Sequence, residues 1–131
     1  MSLTLKCATD SRDSMICEAL PKKGIYSIAA YENGELDKVV AIDVETAKEF
    51  ENQVFGYMHS AFEPSDDDSG YKVYPDANDQ SDAFQAEEVL DHYDREVLWI
   101  DFGYDNMAIN LNFETAKLLL EDLRKFILEA N

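Results

Sequence analysis

Residues 43–48 read DVETAK and residues 112–117 read NFETAK, an alignment without gaps at an offset of 69 residues. Asp43 and Asn112 are residue types that cap helix N-termini, and a glutamate follows each of them in the first turn. Beyond both stretches, apolar residues recur with the i, i+3/i+4 spacing of an amphipathic helix. The two stretches therefore predict two similar helices. The matched apolar pairs are Phe50/Leu119, Val54/Leu123, Tyr57/Phe126, Met58/Ile127 and Ala61/Ala130.

The same offset continues backwards into two predicted hairpins. Val40 and Ile42 match Ile109 and Leu111, with the alternation of a strand that buries one face. Asn33-Gly34 is a strong signal for a two-residue hairpin turn, and residues 102–106 connect the second pair of strands. Each unit therefore reads strand, turn, strand, helix. We interpret the match as an internal duplication, although two ββα units can also share capping and core residues without a common origin.

A further hairpin is predicted at the N-terminus, where apolar residues alternate on both sides of the polar turn at residues 10–14. The predicted fold class is α+β: a two-layer sandwich in which two long helices cover one face of an antiparallel sheet. The 131 residues are interpreted as a single domain. Its parts are the N-terminal hairpin (1–23), the first ββα unit (24–62), an acidic linker (63–95) and the second ββα unit (96–131).

Negative charge is concentrated between the two predicted units. Residues 63–96 carry a net charge of −10 out of a total of −17. A field of one sign repels nucleic acid phosphates and anionic membranes, and it attracts basic proteins. Within the linker we expect a short edge strand at residues 71–74 and a short helix capped by Ser81. That helix would place Phe84, Ala86, Val89, Leu90 and Tyr93 near one face.

Cysteine usage and hydropathy predict a cytoplasmic protein. The two cysteines, Cys7 and Cys17, are too few for a disulfide framework, so we expect reduced thiols. No apolar run approaches the roughly 20 residues that span a bilayer. The first residues do not form a basic segment followed by an apolar stretch, so we expect no signal peptide.

Signals for catalysis and metal binding are weak. The acidic loop at residues 65–70 fits no complete EF-hand frame, and Asp101-Phe102-Gly103 lacks the other motifs of a kinase. Neither His59 nor His92 lies in a recognisable arrangement with a cysteine nucleophile. Paired carboxylates at this density of acidic residues usually form a solvated surface. We expect no enzyme, no cofactor and no metal.

The acidic linker is the predicted partner-binding site because aromatic residues are interspersed among its acids. Aromatic anchors with a charged rim are typical of protein interfaces. The alternative is that the rings pin the linker onto the sheet, and both can hold for different residues. The electrostatic candidates are Asp66, Asp67, Asp68, Asp82, Glu87, Glu88, Asp91 and Asp94, and the candidate anchors are Tyr71, Tyr74, Phe84 and Tyr93.

These features predict a non-enzymatic acidic module of the inhibitor or immunity type, which masks a basic surface of a partner protein. A DNA-mimic counter-defence protein is one alternative, although clustered acids at residues 66–68 fit regular phosphate spacing poorly. A small acidic secretion-type chaperone, which is commonly dimeric, is another. This chain departs from that class by opening with strands where a helix is expected. A homodimer is left open.

Overall fold

A computed structural model of the chain describes residues 2–59, 72–91, 93–103 and 107–130. Four strands and a helix follow one another in each half of the chain, and a short 3-10 helix separates the second and third strands. The first half contains β1 (Ser2–Lys6), β2 (Ser14–Leu20), the 3-10 helix (Pro21–Lys23), β3 (Ile25–Glu32), β4 (Glu35–Asp43) and α1 (Val44–His59). The second half contains β5 (Lys72–Pro75), β6 (Ala83–Leu90), β7 (Glu96–Asp101), β8 (Ala108–Leu111) and α2 (Phe113–Ala130).

The strands form two antiparallel sheets of four strands each, with the orders β1-β2-β3-β4 and β5-β6-β7-β8. The fold is therefore α+β, as predicted. The predicted N-terminal hairpin is confirmed, because Leu3 pairs with Cys17 and Leu5 pairs with Met15. Buried side chains from both sheets and both helices belong to one hydrophobic cluster.

Local sequence chemistry explains the turns and the helix starts. Asn33 and Gly34 both have positive φ, at 51° and 86°, which is the backbone of a tight two-residue hairpin turn. The predicted caps are also present. Asp43 Oδ1 accepts the backbone N–H of Thr46 at 2.8 Å, and Asn112 Oδ1 accepts that of Thr115 at 3.0 Å. Each cap satisfies an N–H group that has no partner inside the helix.

The predicted linker at residues 63–95 contains the first two strands of the second sheet. The expected edge strand is confirmed as β5, whereas the expected short helix after Ser81 is wrong because residues 83–90 form β6. Phe84 and Ala86 are buried on one face of β6, and Gln85 and Glu87 lie on the other. Alternate residues are therefore buried, as in a strand. This pattern and the pairing with β5 and β7 favour a strand over the helix that the spacing of the apolar residues also allows.

Equivalent backbone hydrogen bonds join the two sheets at both of their edges. Ala8 N donates to Asn110 O at 2.7 Å, and Ala77 N donates to Ala41 O at 2.7 Å. Both the donors and the acceptors in these two bonds are 69 positions apart in sequence. The offset seen first in the helix starts therefore extends to the strand pairs that precede them.

Each helix makes its buried polar contacts with strands of the other half. In α1, Gln53 Nε2 donates to Ala86 O at 2.9 Å, and Tyr57 Oη donates to Leu111 O at 3.2 Å. In α2, Asp122, which lies 69 positions after Gln53, accepts the hydroxyl of Tyr26 at 2.6 Å. The helices therefore tie the two sheets together.

Asp76 lies where the first sheet meets the second, next to the hydrogen bond between Ala77 and Ala41. Its carboxylate accepts the backbone N–H groups of Ala41 at 2.9 Å, Asn78 at 2.8 Å and Asp79 at 3.1 Å. Burial acts to raise the pKa of this carboxyl, but the three N–H donors and the charge of Lys38 hold the pKa below its ordinary value.

We expect Asp76→Ala to lower the free energy of unfolding by about 1–3 kcal/mol, because it removes the acceptor for three N–H groups. The contribution of Asp76 should be fully present above the ordinary aspartate pKa of about 4, and it should be lost as pH falls through the lowered value. Urea unfolding at pH 7 and in acid measures both effects. Glu32→Ala, at an exposed position, is the control. An equal loss in both variants would contradict the assignment.

Candidate functional site

Two of the predicted anchors belong to the core. Tyr74 and Phe84 are 1% and 0% exposed, and the ring of Phe50 lies 5.0 Å from each of theirs. The hydroxyl of Tyr74 also donates to Gln53 Oε1 at 2.6 Å. The structure thus places both rings beneath the surface because β6 buries this face. Both rings are therefore buried side chains of the second sheet and are not exposed at the surface.

Two of the predicted electrostatic residues are engaged within the protein. Asp82 forms an ion pair with Lys38 of β4. The side chain of Asp91 is only 2% exposed and accepts the N–H groups of Tyr93 and Arg95 and the guanidinium of Arg95. Burial opposes ionisation of Asp91, but these donors hold its pKa below the ordinary value. Asp91 therefore organises the β6–β7 connection.

The remaining predicted residues in the described ranges lie closer to solvent. Glu87 and Glu88 are partly exposed on opposite faces of β6. Tyr93 is 66% exposed, with the guanidinium of Arg95 5.0 Å from its ring centroid. Asp94 is exposed and has a positive φ of 62°. Asp66, Asp67, Asp68 and Tyr71 lie outside the described residues.

Contacts between turns define a different acidic surface, one that sequence reasoning missed. The β1–β2 turn meets the β3–β4 hairpin, where Asn33 N donates to Asp13 Oδ1 at 3.2 Å. The β3–β4 hairpin meets the β7–β8 connection, where Met107 N donates to Asp37 Oδ2 at 3.0 Å. The Lys38–Asp82 ion pair brings in the β5–β6 turn. The β1–β2, β3–β4, β5–β6 and β7–β8 connections therefore lie at one end of the molecule, whereas the β2–β3 and β6–β7 connections lie at the opposite end of their strands.

We call residues 7–13, 32–37, 76–82 and 101–103 the acidic end. Arg12 is the one basic residue in these four segments, and it forms an ion pair with Asp10. Lys6 and Lys38 flank the segments, and Lys38 is paired with Asp82. The acidic end therefore carries a large excess of negative charge. Its acids are Asp10, Asp13, Glu32, Glu35, Asp37, Asp76, Asp79, Asp82 and Asp101.

The sequence contains a signal for this surface at the same offset of 69. Residues 10–13 read DSRD and residues 79–82 read DQSD, and the two turns share their hydrogen bonds. Asp13 N donates to Asp10 O at 3.0 Å, and Asp82 N donates to Asp79 O at 2.9 Å. Asp79 and Asp82 of the predicted linker thus belong to one of two similar acidic turns.

Glu32 and Glu35 face each other directly across the β3–β4 turn, as the residues that flank Asn33 and Gly34. Both are exposed. Like charges directly opposite on neighbouring strands destabilise a hairpin. Stability of the hairpin therefore does not account for this pair.

The thiols are placed as structural residues. Cys7 and Cys17 are both buried, and burial raises the pKa of Cys17 to about 12. A thiol with so high a pKa is almost entirely protonated at neutral pH and is a poor nucleophile. In the described ranges, no three or more His, Cys, Asp or Glu side chains are grouped to hold a metal ion. Neither described helix is both long and apolar enough to cross a membrane.

Comparison with known proteins gives no family for this chain. No protein-family model matches the sequence, and no curated protein matches it.

Core and surface roles for the predicted anchors can be separated by mutation. We expect Phe84→Ala to lower the free energy of unfolding by about 3–5 kcal/mol, because it leaves a cavity among packed rings. Tyr93→Ala should lower it by less than about 1 kcal/mol, since an exposed cation–π contact contributes no more than that. Denaturant unfolding measures both values. A stable Phe84→Ala protein would contradict the core assignment.

Glu88 lies on the core-facing side of β6, and its ionisation makes the stability of the protein depend on pH. Burial, and then the nearby charge of Glu96, raise the pKa of its carboxyl. A raised pKa means that ionised Glu88 disfavours the folded state at neutral pH. Glu88→Gln should therefore raise the free energy of unfolding at pH 7 by up to about 0.5 kcal/mol, a small value because the group is only partly buried.

The advantage of Glu88→Gln should shrink as pH falls through the raised pKa, since wild-type Glu88 is then protonated as well. Glu87→Gln removes the same charge from the opposite face of β6 and is the matched control. Thermal or urea unfolding between pH 4 and pH 8 provides the measurement. An equal, pH-independent change in both variants would show that net charge alone is responsible.

Proposed function

We propose that this protein is a non-enzymatic, acidic protein-binding module of the inhibitor or immunity type, which masks a basic surface of a partner protein. The observation that carries the proposal is the acidic end, where four hairpin connections converge with a large excess of carboxylates. Electrostatic complementarity of this kind speeds association and selects against partners of the wrong charge.

The turns of the acidic end are held by hydrogen bonds, which favours binding with little loss of conformational freedom. Asp10 Oδ1 accepts the backbone N–H of Arg12 at 3.1 Å, and Asp79 Oδ1 accepts that of Ser81 at 3.1 Å. A surface that is ordered before binding loses less entropy when it meets a partner. We retain residues 66–68 and Tyr71, the partly exposed Glu87 and the exposed Tyr93 and Asp94 as candidate partner-binding residues outside the acidic end.

Placement of acids on turns at one end supports a protein partner over the DNA-mimic alternative. Mimicry of a duplex needs carboxylates in a long regular row, because phosphates repeat along the helix axis. The secretion-chaperone alternative makes a different prediction, namely a homodimer in solution. Sedimentation of the pure protein distinguishes it from a monomeric inhibitor.

We also propose that the two helices cover one face of both sheets as a two-layer sandwich, and that the two halves are copies of one ancestral unit. Ala8 and Ala77 donate equivalent backbone hydrogen bonds between the sheets, and Asp43 and Asn112 form equivalent helix caps. These matches support a common origin of the two halves. The repeated unit in this proposal has four strands and a helix, so it includes the N-terminal hairpin and part of the predicted linker.

The functional test uses the partner recovered by affinity capture from a lysate of the source organism. We expect Glu32→Gln/Glu35→Gln to slow association with that partner about 2–10-fold at low salt, with the difference shrinking as ionic strength rises. Folding stability should stay equal or rise slightly, because a like-charge pair is removed. Stopped-flow or biosensor kinetics give the rates.

The matched control is Glu121→Gln/Glu129→Gln, which removes two exposed carboxylates from α2 and leaves the acidic end intact. This variant should associate nearly as fast as the wild type. Equal slowing by both double variants would mean that net charge acts without a defined surface. The proposal would be overturned if the association rate changed neither with salt concentration nor in either double variant.

A further inference from the structure

A row of three side chains crosses the second sheet on the face opposite the core. Glu87 of β6 pairs with Trp99 of β7, and Trp99 pairs with Asn110 of β8. Leu98 and Ile100, the neighbours of Trp99 in sequence, are fully buried on the core side. The indole is therefore directed outward, where it is partly exposed. With Val89, Leu90 and Asp91, the three residues line a shallow depression of about 390 Å³.

Two acceptors in this row have no partner among the described residues. Asn110 donates through Nδ2 to Thr9 Oγ1 at 3.0 Å, but its Oδ1 accepts no hydrogen bond and is shielded from solvent. The carboxylate of Glu87 has no ion pair or hydrogen bond in the described part of the chain. Buried polar atoms are nearly always satisfied, so an exception calls for an explanation.

The first sheet offers an internal comparison at the equivalent place. Glu18 pairs with Ser27, and Ser27 pairs with Ala41. Glu18 and Ala41 lie 69 positions before Glu87 and Asn110. The carboxylate is thus repeated in both halves, whereas the indole and the amide occur only in the second. Packing of the repeated fold does not require them.

We propose that the Glu87–Trp99–Asn110 row is a subsite for an arginine side chain of the basic partner. The inference rests on the proposed function and identifies one residue type that the partner presents. The subsite adjoins the acidic end, because Thr9, which holds the Asn110 amide, immediately precedes Asp10. A partner drawn to the acidic end can therefore reach the row with a neighbouring side chain.

The chemistry of the row favours arginine. The flat guanidinium stacks on an indole face, and its several N–H groups can serve two acceptors at once. One edge would pair with the Glu87 carboxylate. Another N–H would reach Asn110 Oδ1 once the groups that shield this oxygen from solvent move aside. A lysine ammonium forms a point contact and does not stack as a plane.

Trp99 is the single tryptophan of the chain, so its fluorescence reports on the row directly. The probes are the blocked tripeptides acetyl-Gly-Arg-Gly-amide, its lysine counterpart and its neutral citrulline counterpart, titrated in 150 mM salt. We expect saturable quenching by the arginine peptide, with at least fivefold weaker binding of the other two. Glu87→Gln should weaken arginine binding about tenfold, because it removes a charge-assisted hydrogen bond.

The matched control is Glu18→Gln, which removes the equivalent carboxylate from the first sheet and should leave the titration unchanged. Asn110→Ala installs the residue found at Ala41 and should also weaken binding. Unfolding curves confirm that each variant is folded under the titration conditions. Equal binding of the citrulline or lysine peptide, equal effects of Glu18→Gln and Glu87→Gln, or no saturable quenching would each overturn the subsite.

Failure of the subsite is distinguishable from failure of the proposed function. If Glu32→Gln/Glu35→Gln still slows association with the captured partner while the tripeptides do not bind, the acidic end stands and the arginine subsite is wrong. If the tripeptides bind but no variant of the acidic end alters association, the proposed function is wrong.

Discussion

The structure depends on polar contacts that cross between its two halves. Gln53 and Tyr57 of α1 bond to backbone oxygens of the second sheet, and Asp122 of α2 accepts the hydroxyl of Tyr26 in the first. A buried polar group without a partner destabilises a protein by roughly 1–3 kcal/mol. Neither half therefore satisfies its own helix, and separating the halves would leave such groups unpaired on both sides. This constraint holds the two sheets at a fixed relation.

The acidic end follows from that relation. In an antiparallel sheet of consecutive strands, alternate connections lie at the same end. The β1–β2 and β3–β4 connections therefore share one end of the first sheet, and the β5–β6 and β7–β8 connections share one end of the second. The backbone hydrogen bonds from Ala8 to Asn110 and from Ala77 to Ala41 then bring these ends of the two sheets together. A repeated acidic turn consequently appears twice on one surface, at residues 10–13 and 79–82. Charge that would be scattered along an extended chain is concentrated by topology, which strengthens its field toward a basic partner.

Much of the fold could be predicted from the sequence, and the site could not. Helix caps, the Asn33-Gly34 turn and the N-terminal hairpin depend on neighbouring residues, so local patterns identified them. Residues 83–90 were assigned to a helix because Phe84, Val89 and Leu90 also fit a helical spacing, and only pairing with β5 and β7 selects the strand. The contacts that define the acidic end join residues 20 to 70 positions apart, and no local pattern reports which turns meet.

Comparison of the two halves separates features that both halves share from features that only one half has. Matching positions in the two halves, such as the helix caps and the backbone donors Ala8 and Ala77, carry residues of similar chemistry. Each member of such a pair performs the same structural task in its own half. The outer row departs from this rule, since Ser27 and Ala41 correspond to Trp99 and Asn110. The second half thus places a large aromatic ring and a partly unsatisfied amide where the first half has small residues, and this difference supports the proposed arginine subsite. Because Glu18 and Glu87 occur at matching positions, the carboxylate alone does not distinguish the two faces, and the proposed preference for arginine depends on the ring and the amide.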